Sequence, residues 1–264
     1  MKILKLGQML GGSNAPSGAS EFENLYSLSF DGVDDYVDLG DADVFTPNNS
    51  GANRGMSFSF WTKIPSLQEK MINKSYAYSL GSYRFEYRIQ TTFEGKLLLT
   101  LYSAETSSNR IDFKTTTVLS LNTWHHVSLS WNLGLTNADI VAHLDGVKHS
   151  VANGNATWNE VGTFTGVVNT INPLEFAKLL NVYGQIHLDE VALFDDAISD
   201  STAVSIYNSG SPTDLSSIPY LIGWWRNGDT AGTSVYPTIT DDSSNSNDGT
   251  MTNMDSGDIV TDVP

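Results

Sequence analysis

The chain contains no cysteine. Disulfides and thiolate metal sites are therefore excluded, and stability rests on the core, on hydrogen bonds and on any hard metal ion that oxygen ligands hold. Positive charge is scarce: 14 Lys and Arg stand against 30 Asp and Glu, for a formal net charge of −16. Such a chain repels a phosphate backbone, so no nucleic-acid partner is expected. No run approaches the roughly 18 apolar residues of a membrane helix, and no membrane partner is expected either. The opening MKILKLGQMLGG is broken by Lys5 and Gln8 before it reaches the length of a signal-peptide apolar region, and it lacks a cleavage site, so no Sec signal is read. A phosphate-cradling loop, a Ser/His/Asp arrangement and a His pair at metal spacing are also missing. His125 and His126 are adjacent and so face opposite sides of a strand.

What is present is core material. Of the 264 residues, 40% are apolar and 11% aromatic while 17% are charged, the balance of a folded chain and a length that suits one domain with extensions. Residues 1–20 divide into an apolar-basic arm, Met1 to Leu10, and a Gly/Ser/Ala/Pro linker, Gly11 to Ser20; the arm has the character of a segment that docks on a neighbour. Residues 21–264 are expected to form the domain, with 211–264 as a C-terminal extension that adds to it.

From Tyr26 to about Phe194 the dominant period is two. In MSFSFWTKI, Met56, Phe58, Phe60 and Ile64 share one face; in YRFEYRI, Tyr83, Phe85, Tyr87 and Ile89 do; in WHHVSLSW, His125, Val127, Leu129 and Trp131 do. KLLLTLY is apolar on both faces, as a central strand would be. Asp145-Gly146 lies between two short extended runs and predicts a hairpin. One helix is expected late in the chain, capped by Ser199, with Gly210 at the C′ position and Pro212 beyond. Many short strands and a single late helix predict an all-β, antiparallel two-sheet sandwich.

Taken together, SLSFDGVDDYVDLGD (27–41), MSFSFWTKI (56–64), NTWHHVSLSWN (122–132), VAHLDGVKHS (141–150) and GQIHLDEVALFDDAISDSTAVSIYNSG (184–210) resemble the laminin-G-like, concanavalin A-like jelly roll. The resemblance covers roughly residues 26–210 and implies fold rather than function. It also implies a structural cation tying the first strand to the last. The matching positions here are Asp31, a carbonyl near Gly32, Asp189 and, more weakly, Asp34, an oxygen set suited to Ca²⁺. The alternative is that Asp31-Gly32 makes a tight turn while Asp34, Asp35 and Asp38 are solvated edge residues. Candidate sugar contacts are Trp158, read in the loop VANGNATWNE and alternatively a lid over the core, together with Tyr83 and Tyr87.

The tail departs from the usual layout. LIGWWRNGDT, followed by ITDDSSNSNDGTMTNM, looks like the segment that normally opens such a domain. Trp224 and Trp225 are too apolar to leave free, so this segment is expected to add strands to the same sandwich. Asp242, Asn245 and Asp248 read as a polar turn, with a second cation as the alternative.

No catalysis is expected. Glucan-cleaving enzymes on this fold carry Glu-x-Asp-x-x-Glu, and none of the nine glutamates has Asp two residues on. Arg84-Phe-Glu86-Tyr-Arg88 and Gln185-Ile-His187 resemble jelly-roll alginate lyase signatures, but the Tyr-rich C-terminal strand of that family is missing. The texture of the sequence, including GTMTNM, is similar to laminin-G-like structural proteins of marine phages. The expectation is a virion surface protein, a capsid decoration or tail-fibre component. It would bind other virion proteins through its arm and cell-surface or environmental glycans through the jelly roll, with homo-oligomers possible. A bacterial extracellular carbohydrate-binding module is the alternative, and a polysaccharide lyase a more distant one.

Overall fold

The computed structural model describes residues 22–47, 55–79, 82–103, 108–229 and 236–264, with backbone alone at 77–79 and 82–83. The proposed arm, Met1 to Leu10, lies outside the described residues. In chain order the strands are β1 Ser27–Ser29, β2 Tyr36–Asp38, β3 Met56–Lys63, β4 Lys70–Ser79, β5 Ser82–Thr91, β6 Lys96–Tyr102, β7 Arg110–Val118, β8 Trp124–Trp131, β9 Ile140–Leu144 and β10 Val147–His149. They continue with β11 Ala156–Val161, β12 Leu174–Phe176, β13 Lys178–Leu179, β14 Val182–Tyr183, β15 His187–Phe194, helix α1 Asp200–Tyr207, β16 Leu221–Trp225, β17 Thr238–Ile239, β18 Gly249–Thr252 and β19 Ile259–Val260.

Two large antiparallel sheets face each other. One is ordered β10-β9-β8-β3-β15-β1-β19, with β16 also on β15; the other is ordered β11-β7-β6-β5-β4-β12-β2-β18-β17. This is the concanavalin A-like jelly roll that the period-two pattern and the motifs predict. Met56, Phe58 and Phe60 of β3 and Val127, Leu129 and Trp131 of β8 enter the core between the sheets and meet Leu97, Leu99 and Leu101 of β6. At the β9–β10 hairpin, Asp145 (φ 50°) and Gly146 (φ 75°) both take the left-handed turn conformation that two-residue hairpins require.

The back of the eight-stranded sheet is covered as well. Ser199 caps α1 by accepting from Thr202 N, and Ile206 joins Phe194, Leu215 and Trp224 in a second apolar cluster. The helix ends on Asn208, the left-handed C-cap, two residues before the glycine expected to end it. The C-terminal segment contributes to both sheets, because β16 pairs with β15, β18 with β2 and β19 with β1. Adjacent residues on a strand point to opposite sides, so Trp225 fills the main core while Trp224 fills the second cluster. Among the described residues no helix is long and apolar enough to cross a membrane.

Candidate functional site

Three carboxylates converge beside β15. The register of β15 against β3 shifts between Asp189 and Ala192, and Glu190 takes φ +48°, so this bulge turns two consecutive acids to the covered back of the sheet, while Leu188 and Val191 on either side enter the main core. Asp189, Glu190 and Asp229, which follows β16, each place a carboxylate oxygen within 4.8 Å of the others. Glu190 accepts from Trp224 Nε1 (2.6 Å) and from Arg226 Nε (3.1 Å). Asp229 accepts from the backbone N–H groups of Leu25 (2.8 Å) and Tyr26 (3.2 Å), and Asp189 accepts from Asn24 Nδ2 (2.9 Å). The centre thus joins the segment before β1, the bulge of β15 and the loop after β16.

Its electrostatics are unbalanced. Burial, then the neighbouring Glu190, hold the Asp189 carboxyl well above the usual carboxylate range; burial pushes Glu190 up to about 7 against the pull of Arg226, and burial also raises Asp229. Two asparagines that bond β15 carry buried, unpartnered amide oxygens. Asn24 Oδ1 is buried without a partner on the same amide whose nitrogen meets Asp189. Asn227 is fully buried, with Nδ2 on the Leu188 carbonyl (2.8 Å) and Oδ1 also unpartnered. Carboxylate and amide oxygens with no soft donor fit a hard divalent cation such as Ca²⁺, and Asp189, Asp229, Asn24 and Asn227 are the residues that would hold it.

This corrects the expected ligand set. Leu28 pairs with Leu188, which sets Asp189 level with Ser27; Asp31 lies four residues further along, about 13 Å away at the rise of a strand. Asp31 and Asp189 therefore do not share one ion. Asp31, Asp34 and Asp35 form a separate group in a turn where Asp31 Oδ1 accepts from Val33 N (2.7 Å) and Asp35 Oδ2 accepts from Asp31 N (3.0 Å). Gly32 serves that turn with φ +78°, and a Cβ there would press on Gln185. Asp229 was missed. Its signal was the Asp of NGD, on a tail whose sequence looks like an opening segment.

The expected sugar contacts are also redistributed. Tyr87 is fully buried in the core and donates to the Phe45 carbonyl (2.8 Å), so it is a structural residue. Lys74 pairs with Tyr87 and Ser75 with Phe85, leaving Glu86 as an extra residue. This bulge separates Phe85 from Tyr87 and sends Phe85 to the outward face, stacked on Tyr102 at 4.8 Å. Glu86 instead meets Lys74 in a buried ion pair (2.8 Å). The side chain of Tyr83 lies outside the described residues. Trp158 is not in a loop; it sits on β11 opposite Phe113 and packs half-buried on the core.

What remains on the outward face of the nine-stranded sheet is polar. Asp112 accepts from Thr100 Oγ1 (2.9 Å), Arg110 Nε (3.2 Å) and Asn159 Nδ2 (3.4 Å). The Arg88 guanidinium lies 5.7 Å from the centre of the Tyr102 ring. Arg88 Nε and Gln90 Oε1, two residues apart on β5, are buried with no hydrogen-bond partner. The β13–β14 hairpin stands over this face, with Asn73 Nδ2 on the Lys178 carbonyl (2.8 Å) and Leu179 packed on Phe85 and Tyr102. His187 is on β15 in the other sheet, against Trp124, so the lyase-like residues Arg88 and His187 do not meet on one face.

A family model described as the concanavalin A-like lectin/glucanases superfamily matches residues 31–203. The chain belongs to this superfamily. Asp189 and Glu190 fall inside the matched span and Asp229 beyond it. Among solved concanavalin A-like structures, the chain is similar to a candidate carbohydrate binding protein from Bacteroides ovatus ATCC 8483, with a TM-score of 0.55 and 12% identity over 87% of this chain and 58% of that one. It thus spans little more than half of that protein. A heptameric SAP-like pentraxin from Limulus polyphemus follows at TM-score 0.43 and 12% identity, over 70% of this chain and 82% of that one. A Trypanosoma rangeli sialidase has TM-score 0.44 and 14% identity, over 72% of this chain and 28% of that one. None of the curated proteins matches the chain.

Proposed function

We propose that this chain is a non-enzymatic virion surface protein, a capsid decoration or tail-fibre component of a phage, that binds glycans on the outward face of its nine-stranded sheet. The glycan reading is carried by Arg88 Nε and Gln90 Oε1, a buried donor and a buried acceptor two residues apart on β5 and both without partners. Leaving such groups unpaired costs about 1–3 kcal/mol each, and sugar hydroxyls, which both donate and accept, suit the two together. The likeness to the Bacteroides ovatus carbohydrate-binding candidate supports the fold on which this reading rests. A structural Ca²⁺ at Asp189 and Asp229, with Asn24 and Asn227, pins the segment before β1 to β15 and to the C-terminal loop.

The virion role is supported by the phage-like texture of the sequence and by the arm, Met1 to Leu10, which would hold other virion proteins. Mass spectrometry of purified particles tests it: finding the protein there is expected, and its absence would favour a bacterial carbohydrate-binding module. The glycan role is tested by binding to a panel of polysaccharides. Arg88→Ala with Gln90→Ala should weaken whichever glycan the wild type holds at least tenfold. Release of unsaturated products from alginate would instead make the protein a lyase.

A further inference from the structure

We infer that the glycan taken by the outward face is anionic, a polysaccharide carrying carboxylate or sulfate groups; this rests on that face being the glycan surface. The basic residues of this acidic chain are unevenly placed. Along the outward side of β4 to β7 and the turns that join them, among the described residues, stand the five cations Lys70, Arg88, Lys96, Arg110 and Lys114 against two carboxylates, Glu94 and Asp112, with a third, Glu69, just before β4 acting on Lys70. The face is therefore net positive on a chain of net charge −16.

The two carboxylates do not neutralise it. Glu94 is shared by Lys96 (2.7 Å) and Lys114 (4.0 Å), and Asp112 is held by Arg110 (3.2 Å). Arg88 has no carboxylate partner among the described residues, and its Nε is unbonded. Lys70, opposite Gln90 on the neighbouring strand, has its pKa lowered by burial and further by Arg88, although Glu69 pulls the other way. Lys70 and Arg88 thus lie on paired strands near enough to act on each other, with Gln90 opposite Lys70 and the Lys70 ammonium donating to the Gln68 carbonyl. An anionic group delivered with hydroxyls gives Arg88 the carboxylate or sulfate partner it lacks and fills the empty hydrogen-bonding positions.

The surrounding acidity sharpens the choice. Over a Debye length of about 8–10 Å the basic face attracts a polyanion, while the remaining surface repels it, so the ligand is confined to one orientation. A polysaccharide is favoured over a nucleic acid because the chain of net charge −16 repels a long phosphate backbone and the paired aromatics Phe85 and Tyr102 are buried against Leu179.

The test is the affinity of the full chain for polygalacturonate, dextran sulfate, neutral dextran and a single-stranded oligonucleotide, at low and high salt. Binding to one or both anionic polysaccharides is expected, weakened by salt and weakened at least tenfold by Lys70→Gln with Arg88→Gln. Lys114→Gln, with its melting curve as a folding check, should give a smaller loss in the same direction. Lys148→Gln, whose partner Asp200 lies on the opposite side of the molecule, should change nothing. The arm that binds tells carboxylate from sulfate. Neutral dextran bound as tightly as the polyanions would overturn the anionic assignment and leave the glycan reading standing; binding to no polysaccharide would overturn both. A tighter grip on the oligonucleotide, or variants that bind polyanions like the wild type, would likewise overturn it.

Discussion

Asp189 on β15 and Asp229 after β16 bring carboxylate oxygens within 4.8 Å of each other and of Glu190. Arg226, paired with Glu190, is the cation among them. Like charges at that range inside a protein repel strongly unless a proton or a metal ion separates them.

Ca²⁺ should therefore raise the melting temperature, and a chelator should lower it. Binding to the folded state alone contributes roughly 2.7 kcal/mol at a hundredfold excess over Kd. Asp189→Asn or Asp229→Asn should abolish the response in a thermal-shift assay, while Asp31→Ala should keep it. The reverse pattern would move the metal to the exposed turn.

Tyr87→Phe should cost about 1 kcal/mol in urea denaturation, the net value of the hydrogen bond to the Phe45 carbonyl. Glycan affinity should not change. A loss of affinity without a loss of stability would return Tyr87 to the ligand site.

Glu175 on β12 gives a pH signature. Burial pushes its carboxyl from 4.5 up to about 7, with Asp38 across the strand pair adding to the rise and Lys178 (2.5 Å) opposing it. Because the folded state holds this proton more tightly than the unfolded chain, the contribution is complete below about pH 4.5 and is lost as pH climbs through about 7. Relative to Glu175→Gln, the wild type should lose stability across that interval. Parallel denaturation series at pH 5 and pH 7.5 measure it, and equal slopes for the two proteins would contradict the assignment.

Trp225→Ala should be among the most damaging single changes, at about 3–5 kcal/mol. Its ring is fully buried between Phe176 (5.4 Å between centroids) and Phe45 (6.1 Å), and its Nε1 donates to the Asn247 carbonyl (2.8 Å). An unchanged urea midpoint would show that the C-terminal segment packs independently.

The sandwich was legible because its strands repeat every two residues, as in Met56, Phe58 and Phe60, and because Asp145-Gly146 announces its turn. The two sites were less so. A bulge adds one residue without altering composition, so alternation continued through Glu86 assigned Phe85 to the same face as Tyr87, and alternation through Asp189 gave no sign that Glu190 would share its face. Register decided the rest. Only the pairing of Leu28 with Leu188 shows that Asp31 is too far from Asp189, and only the pairing of β16 with β15 brings Asp229 near. The unpartnered groups of Arg88, Gln90, Asn24 and Asn227 are properties of packing, which no local pattern encodes.

The pairings of β1 with β19 and of β2 with β18 also order events during synthesis. Both early strands must wait for residues beyond 248, so at roughly 5–20 residues per second their hydrogen-bonding edges stay open for on the order of ten seconds or more. Open edges on neighbouring nascent chains are templates for one another. The five aspartates of the stretch 26–41 follow β1 and flank β2, and like charges along an edge oppose its pairing with a second copy of itself.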